Sequence, residues 1–128
     1  PLFVPSVDHT FCGMLTSTPI PATLWKGNVD ADAIWDVLRD RYTEEPFVRV
    51  VAPGDNAEHL RDGRYLDLSE CNFTNRLDLF VFGDPQVGFV LVGRQDNLGK
   101  GASGNAVQCL NLMIGAEETT GLTDGLDG

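Results

Sequence analysis

The segment best suited to hold a ligand is Gly99-Lys100-Gly101-Ala102-Ser103-Gly104, which spells G-x-G-x-x-G between a strand pattern and a helix pattern. Alone, that spacing suggests a dinucleotide-binding turn. Its surroundings reject this, because such a unit needs a further strand after the helix and an acidic residue about 20 positions on. Here the chain passes into a Gly-rich acidic run instead. Two readings stay open. The loop could present free amides at a helix N-terminus, with Lys100 beside them, to an anion or polar group. Or it is a joint that lets helix and sheet approach closely. A second cluster, Asn72, Thr74, Asn75 and Arg76, precedes an apolar strand. The Arg76 fork suits a carboxylate or phosphate, and a turn whose Asn side chains bond their own backbone explains the cluster equally well.

Other reactive residues are sparse. His9 and His59 are the only histidines, and Cys12 lies three residues after His9. Positions three apart on a strand face opposite sides, so a thiolate–imidazole pair is geometrically poor. Cys12, Cys71 and Cys109 are an odd set without close spacing, against both a disulfide framework and a zinc site. They read as reduced, mostly buried thiols in a cytoplasm-like compartment. The sequon Asn72-Phe73-Thr74 follows no signal-peptide pattern and is read as unmodified. Glu117, Glu118, Asp124 and Asp127 match no Ca²⁺-loop spacing and read as solvated charge. Neither a catalytic nor a metal-binding residue is assigned.

The elements that must position these groups follow from periodicity. Residues 10–24 read as an extended strand, with Pro21 at an edge-like or bulged exit. Asp30 caps a helix over about 30–43, whose Ala31, Ile34, Trp35, Leu38 and Tyr42 form an apolar stripe. Strands are expected at 47–51, around 65–68, at 76–82 and at 87–94, with 54–63 a polar connection and 83–86 a hairpin link. A last helix over 101–114 carries Ala102, Ala106, Leu110 and Met113 on one stripe and ends at Gly115. Short turns between strands make the sheet largely antiparallel, and the class is α+β with helices on one face. Both faces of the 77–82 and 87–92 strands are apolar. One face is expected to be covered by helices, the other by a second copy of the chain. Residues 1–115 form one domain, and 116–128 an acidic, Gly-rich, mobile tail.

Composition narrows the partners. The 128 residues carry 9 Lys and Arg against 19 Asp and Glu, a net charge of −10, and the only lysines are Lys26 and Lys100. Such a chain lacks the clustered cations that nucleic acid or an anionic membrane requires, and no apolar run is long enough for a transmembrane helix. It begins Pro1-Leu2-Phe3-Val4-Pro5 and reads as part of a longer polypeptide.

The run from Asp96-Asn97-Leu98-Gly99-Lys100-Gly101-Ala102-Ser103-Gly104 through Ala106-Val107-Gln108-Cys109-Leu110-Asn111-Leu112-Met113 resembles the C-terminal signature of N-acetyl-gamma-glutamyl-phosphate reductases, with Cys109 where Asn is usual. Phe3-Val4-Pro5, Gly13-Met14 and Thr74-Asn75-Arg76-Leu77-Asp78-Leu79-Phe80-Val81-Phe82-Gly83 resemble the shorter, second subtype. The resemblance implies a glyceraldehyde-3-phosphate-dehydrogenase-like C-terminal domain, here partial. The complete enzyme makes a semialdehyde from an acyl phosphate with NADPH, in arginine biosynthesis, through a Cys thioester and a His base. Its Rossmann domain, nucleophile and base lie upstream of the matched region. This chain alone is therefore expected to be inert and to bind no cofactor. The resemblance implies cofactor contacts at Asn97, Gly99 and Lys100, and substrate contacts at Thr74, Asn75 and Arg76. It implies a homo-oligomer assembled through the sheet and completed by the missing cofactor domain. Two alternatives are a fragment of an aspartate-semialdehyde dehydrogenase relative and a stand-alone, non-catalytic interaction domain.

Overall fold

The computed structural model describes residues 9–125, so Phe3-Val4-Pro5 and Asp127 lie outside the described residues. Strand β1 (Gly13–Pro21) leads through one short helical turn (Ala22–Leu24) to helix α1 (Ala31–Tyr42). Asp30 caps α1 as its type predicts: its Oδ1 accepts the Ala33 N–H at 2.8 Å, meeting one of the first-turn amides that the helix cannot satisfy. Ala31, Ile34, Trp35, Leu38 and Tyr42 are the partly buried positions of α1, as the 3.6-residue period requires. Trp35 Nε1 donates to the Val50 carbonyl at 3.3 Å and ties α1 to β2 (Val48–Val50).

Strands β5 (Leu77–Asp84) and β6 (Gly88–Asp96) complete one sheet of order β1-β6-β5-β2. Its β1/β6 and β5/β6 ladders are antiparallel and β2/β5 is parallel. The class is therefore α+β with a largely antiparallel sheet. The β5–β6 connection is tighter than the expected link at 83–86. Asp84 pairs with Gly88, and the Asp84 carboxylate accepts the N–H groups of Gln86 and Val87. Gly83 and Gly88 make this possible. Both have strongly positive φ, and a Cβ on Gly83 would lie 2.2 Å from the Gly88 carbonyl oxygen.

The two sheet faces are covered differently. Leu38 and Tyr42 of α1 face Leu77, Leu79 and Leu91. On the other face, Phe80 and Val92 join Val51 in a buried cluster, with Leu15, Leu66, Phe82 and Val90 around it. That face was expected to await a second copy, yet residues 53–70 already lie over it. The expected polar connection at 54–63 is a run of tight helical turns (Pro53–His59) followed by β3 (Leu60–Arg61) and β4 (Tyr65–Leu66). Asn56 Nδ2 donates to the Val81 carbonyl at 2.9 Å, and the His59 ring stands edge-on to Phe80 at 5.4 Å. The segment is tied to the sheet by the Asn56 bond and by Arg94 Nη1, which donates to the Asp67 carbonyl at 3.1 Å. A cavity of about 750 Å³ remains under the β3–β4 hairpin, floored by Leu15, Phe82 and Val92.

After β6 comes one wide turn, Gly99–Ser103, and then helix α2 (Gly104–Ile114). In the turn, the Ser103 N–H reaches back five residues to the Leu98 carbonyl at 3.0 Å. Gly115 takes φ +71°, and Ala116 N–H donates to the Asn111 carbonyl, a Schellman ending. The apolar stripe of α2 lies uncovered: Ala102, Ala106, Leu110 and Met113 are exposed, while Gly104 and Asn111 are buried and Gln108 is partly buried. Polar partners hold the inward side: Asn111 Nδ2 donates to the carbonyls of Glu118 and Thr120.

Candidate functional site

The junction between β6 and α2 is organised by one carboxylate. Asp96 Oδ1 accepts the N–H groups of Leu98 and Gly99, each at 2.8 Å, and Oδ2 accepts the Phe73 N–H at 2.6 Å. Asp96 is buried, and burial raises its pKa. The amides of Gly99, Phe73 and Leu98 and the Cys12 thiol outweigh that effect and hold it below the usual carboxylate range. The Cys12 pKa is pushed up, first by burial and then by its hydrogen bond to Asp96 and that group's charge. Asn97 N–H donates to the Cys12 carbonyl at 2.7 Å. Three separate segments, the start of β1, the 73–75 turn and the 97–99 loop, therefore meet at Asp96.

The structure brings most of the expected site residues to this junction and spends several of them internally. Asn97 is exposed on the loop. A Cβ on Gly99 would lie 2.9 Å from the Thr74 carbonyl oxygen, and one on Gly104 would lie 2.4 Å from Asn75 Oδ1. Of the two readings of the glycine loop, the close-packed joint is the one these distances display. Lys100 shares an acceptor with Asn75. Its Nζ donates to Gln108 Oε1 at 2.7 Å and lies 5.7 Å from the Phe47 ring centre. Burial pulls its pKa down, against the charges of Glu118, Cys109 and Glu45. Thr74 Oγ1 donates to the Cys71 carbonyl, and buried Asn75 donates to Gln108 Oε1 at 2.9 Å.

Residues 117–124, expected as a mobile tail, close one side of this site. Thr123 accepts the Asn75 N–H at 2.7 Å, and the Asp124 carbonyl accepts from Arg76 at 3.2 Å. Glu118 accepts from Gln108 Nε2 at 2.5 Å. The Gln108, Asn111 and Arg76 side chains and the Asn75 N–H donate to the segment and hold it, and its hydropathy gave no sign of such polar docking.

Arg76 belongs to a buried charge cluster that pattern reading missed. Its Nε is 3.0 Å from Asp78, and Nη2 donates to the Glu70 carbonyl at 2.7 Å. Arg94 is buried and pairs with Asp78 at 2.7 Å and Glu70 at 2.6 Å, over the face of Phe80. Arg49 donates to His59 Nε2 at 2.6 Å. Arg94 Nη2 lies 3.3 Å from the other ring nitrogen, Nδ1, which is also 3.0 Å from Glu70, so His59 sits between two guanidinium groups and a carboxylate. Cys71 lies beside Asp78, its pKa raised first by burial and then by that charge. Two arginines and two carboxylates balance one another, and deleting one member would leave its partner's charge buried, which costs about 3–5 kcal/mol. The missed signal was a lone Asp78 and a lone Arg94 in adjacent apolar strands, which the register pairs directly.

Beside Asp96 opens a pocket of about 400 Å³. Cys12, Asn75, Gly99, Gly104 and Leu122 are among its walls, and Phe11 and Phe73 stand at it with 79% of each residue exposed. A small, mostly apolar cleft with few polar atoms suits a flat group held by one or two hydrogen bonds.

The chain is similar in sequence to known proteins along most of its length. A family described as "Semialdehyde dehydrogenase, dimerisation domain" matches residues 1–97. N-acetyl-gamma-glutamyl-phosphate reductase 2 of Nostoc sp. (strain PCC 7120) is 44% identical over 123 residues, covering 95% of this chain and 38% of that protein. The reductase of Trichormus variabilis is 42% identical with the same coverage. That of Desulforudis audaxviator is 46% identical over 94 residues, 73% of this chain and 25% of the relative. The chain thus spans well under half the length of these relatives.

Proposed function

The chain belongs to the semialdehyde dehydrogenase dimerisation-domain family, and on that premise we propose that it is the C-terminal substrate and assembly part of an NADPH-dependent N-acetyl-gamma-glutamyl-phosphate reductase. The reaction is acyl phosphate plus NADPH and a proton giving semialdehyde, NADP⁺ and phosphate. The observation that carries this reading is the 44% identity, which runs through 95% of the chain. The Asp96 junction supports it, because it gathers the proposed cofactor and substrate segments around one pocket.

When bound, NADPH supplies the hydride. The residues of this chain bind and orient. Asn97 offers an exposed amide on a loop fixed at both ends by Cys12 and Asp96, and so suits a carboxamide. Gly99 and Lys100 act by holding that loop against Thr74 and α2. Thr74 and Asn75 place their turn beside the pocket, and Arg76 serves substrate by clamping that turn from within, its fork being committed to Asp78 and Glu70.

Acyl transfer needs an activated nucleophile. Cys12 and Cys71 have pKa values pushed in the wrong direction for one. The nucleophile, the base and the cofactor domain are accordingly assigned to the part of the enzyme that this chain does not match. Homo-oligomerisation follows from the family, and its proposed surface is the part of that sheet face which residues 53–70 do not fully cover, where Leu15, Phe82 and Val90 stay partly exposed.

A chimera tests the proposal: the unmatched portion of the Nostoc reductase joined to this chain, assayed for NADP⁺ reduction with N-acetylglutamate semialdehyde and phosphate. Activity in the chimera and none in the isolated chain is expected. A folded, dimeric chimera without turnover overturns the proposal. So does an isolated chain whose turnover is abolished by Cys12→Ser.

A further inference from the structure

Phe73 combines two costs that proteins rarely accept together. Its φ is +62°, and among the described residues only Asp62 is a second non-glycine with positive φ. Asp62 sits beside Gly63 in the β3–β4 hairpin turn, where short polar residues adopt that conformation readily. Phe73 occupies the third position of a turn closed by the Thr74 N–H and the Cys71 carbonyl at 3.3 Å, where Gly or Asn is the residue expected. The ring gains nothing from burial to offset that strain, because the residue is 79% exposed. The backbone is held in place by the Asp96 carboxylate, which accepts the Phe73 N–H at 2.6 Å. Strain that surrounding groups enforce on a residue without packing concentrates at binding sites.

Phe11 is exposed to the same degree as Phe73, and both residues line the pocket beside Asp96. Gly99, Gly104 and Gly121 leave the walls without side chains, while Leu98 and Leu122 make them apolar. Two rings facing a glycine-walled slot suit a planar guest, since aromatic faces bind best in offset stacks or edge contacts. We propose that Phe73 and Phe11 form an aromatic clamp for a flat heteroaromatic ring entering this slot. The clamp rests on the dinucleotide-dependent reading above and names residues that it leaves without a role.

The chimera described above is tested with three probes: NADPH, reduced nicotinamide mononucleotide and 2′,5′-ADP. Binding is followed by reduced-nicotinamide fluorescence, by aromatic NMR shifts for the adenine probe, and stability by urea unfolding. Phe73→Gly removes both the ring and the strain. It is expected to keep or raise the urea midpoint while weakening probe binding at least tenfold. Phe73→Tyr should keep binding within about twofold, and Phe11→Ala should weaken it several-fold. The mononucleotide and 2′,5′-ADP arms tell which ring enters. A lower midpoint in Phe73→Gly makes the ring structural and overturns the clamp. So does unchanged binding, or no binding of any probe at millimolar concentration. The clamp and the reductase reading fail separately. An inactive chimera with Phe73-dependent binding sinks only the reductase. An active chimera whose NADPH KM ignores Phe73→Gly sinks only the clamp.

Discussion

Asp96→Asn is the substitution that most directly tests how the junction is held. The side chain keeps its shape, yet only one of its two acceptor oxygens survives. If the remaining oxygen stays with Leu98 and Gly99, the new NH₂ faces the Phe73 N–H, donor against donor, where a 2.6 Å bond now stands. A hydrogen bond to a charged acceptor contributes ~1.5–3 kcal/mol, and two bonds demoted from charged to neutral lose roughly another 1 kcal/mol together. The sum is about 3 kcal/mol, a large share of the ~5–15 kcal/mol that holds such a domain. Urea unfolding of both proteins at pH 7 measures it. The pH dependence supplies a second check. The folded pKa of Asp96 lies below its unfolded value, so its stabilisation is complete above the unfolded pKa of about 3.9 and is lost as pH falls through the folded one. The gap between wild type and Asp96→Asn should therefore narrow below pH 4. A gap under about 1 kcal/mol at pH 7, or one that stays constant as the carboxylate protonates, refutes the reasoning.

Gly13→Ala should destabilise by roughly 3 kcal/mol, the upper range for overpacking, because its Cβ would lie 2.2 Å from the Leu68 carbonyl oxygen. An unchanged melting temperature would mean that β1 and the 67–69 segment separate freely. Among the three thiols, exposed Cys109 should react at once with a disulfide reagent at pH 8, and Cys12 and Cys71 only on unfolding. A second fast thiol would contradict their assignment as inert.

Much of the scaffold was legible because it obeys one-dimensional rules. Asp30 and the stripe from Ala31 to Tyr42 mark α1 through local capping and period alone, and the apolar runs mark β5 and β6. What pattern reading missed depends on pairs of segments. The apolar stripe of α2 shows that Leu110 and Met113 share a side, whereas its inward side is chosen by Gln108 and Asn111, whose partners lie on residues 118–120. The Asp78–Arg94 pair exists only once the β5/β6 register is set. At the site, Asn97, Thr74 and Asn75 were singled out from two separate motifs, and the structure brings them to one junction. Asp96, which connects them, looked like an ordinary strand end. Phe73 was invisible for a different reason: its conformation contradicts its type, and only the acceptor on β6 imposes it.

The strand order has a consequence for what this protein avoids. Among the described residues, β1 and β2 are the two margins of the main sheet, and open margins are templates for adding foreign strands. The margins are blunted in unlike ways. β2 is three residues long, too short to seed a stable ladder. β1 is nine residues long, and it carries Pro19 and Pro21, which have no N–H to offer an incoming chain. Only the stretch from Gly13 to Thr18 keeps a continuous row of donors. An excess of ten negative charges repels the like copies that would use it. Copies can then meet through side-chain surfaces while fibre-like growth along the sheet is discouraged. Replacing Pro19 and Pro21 by Val would remove that protection without touching the pocket.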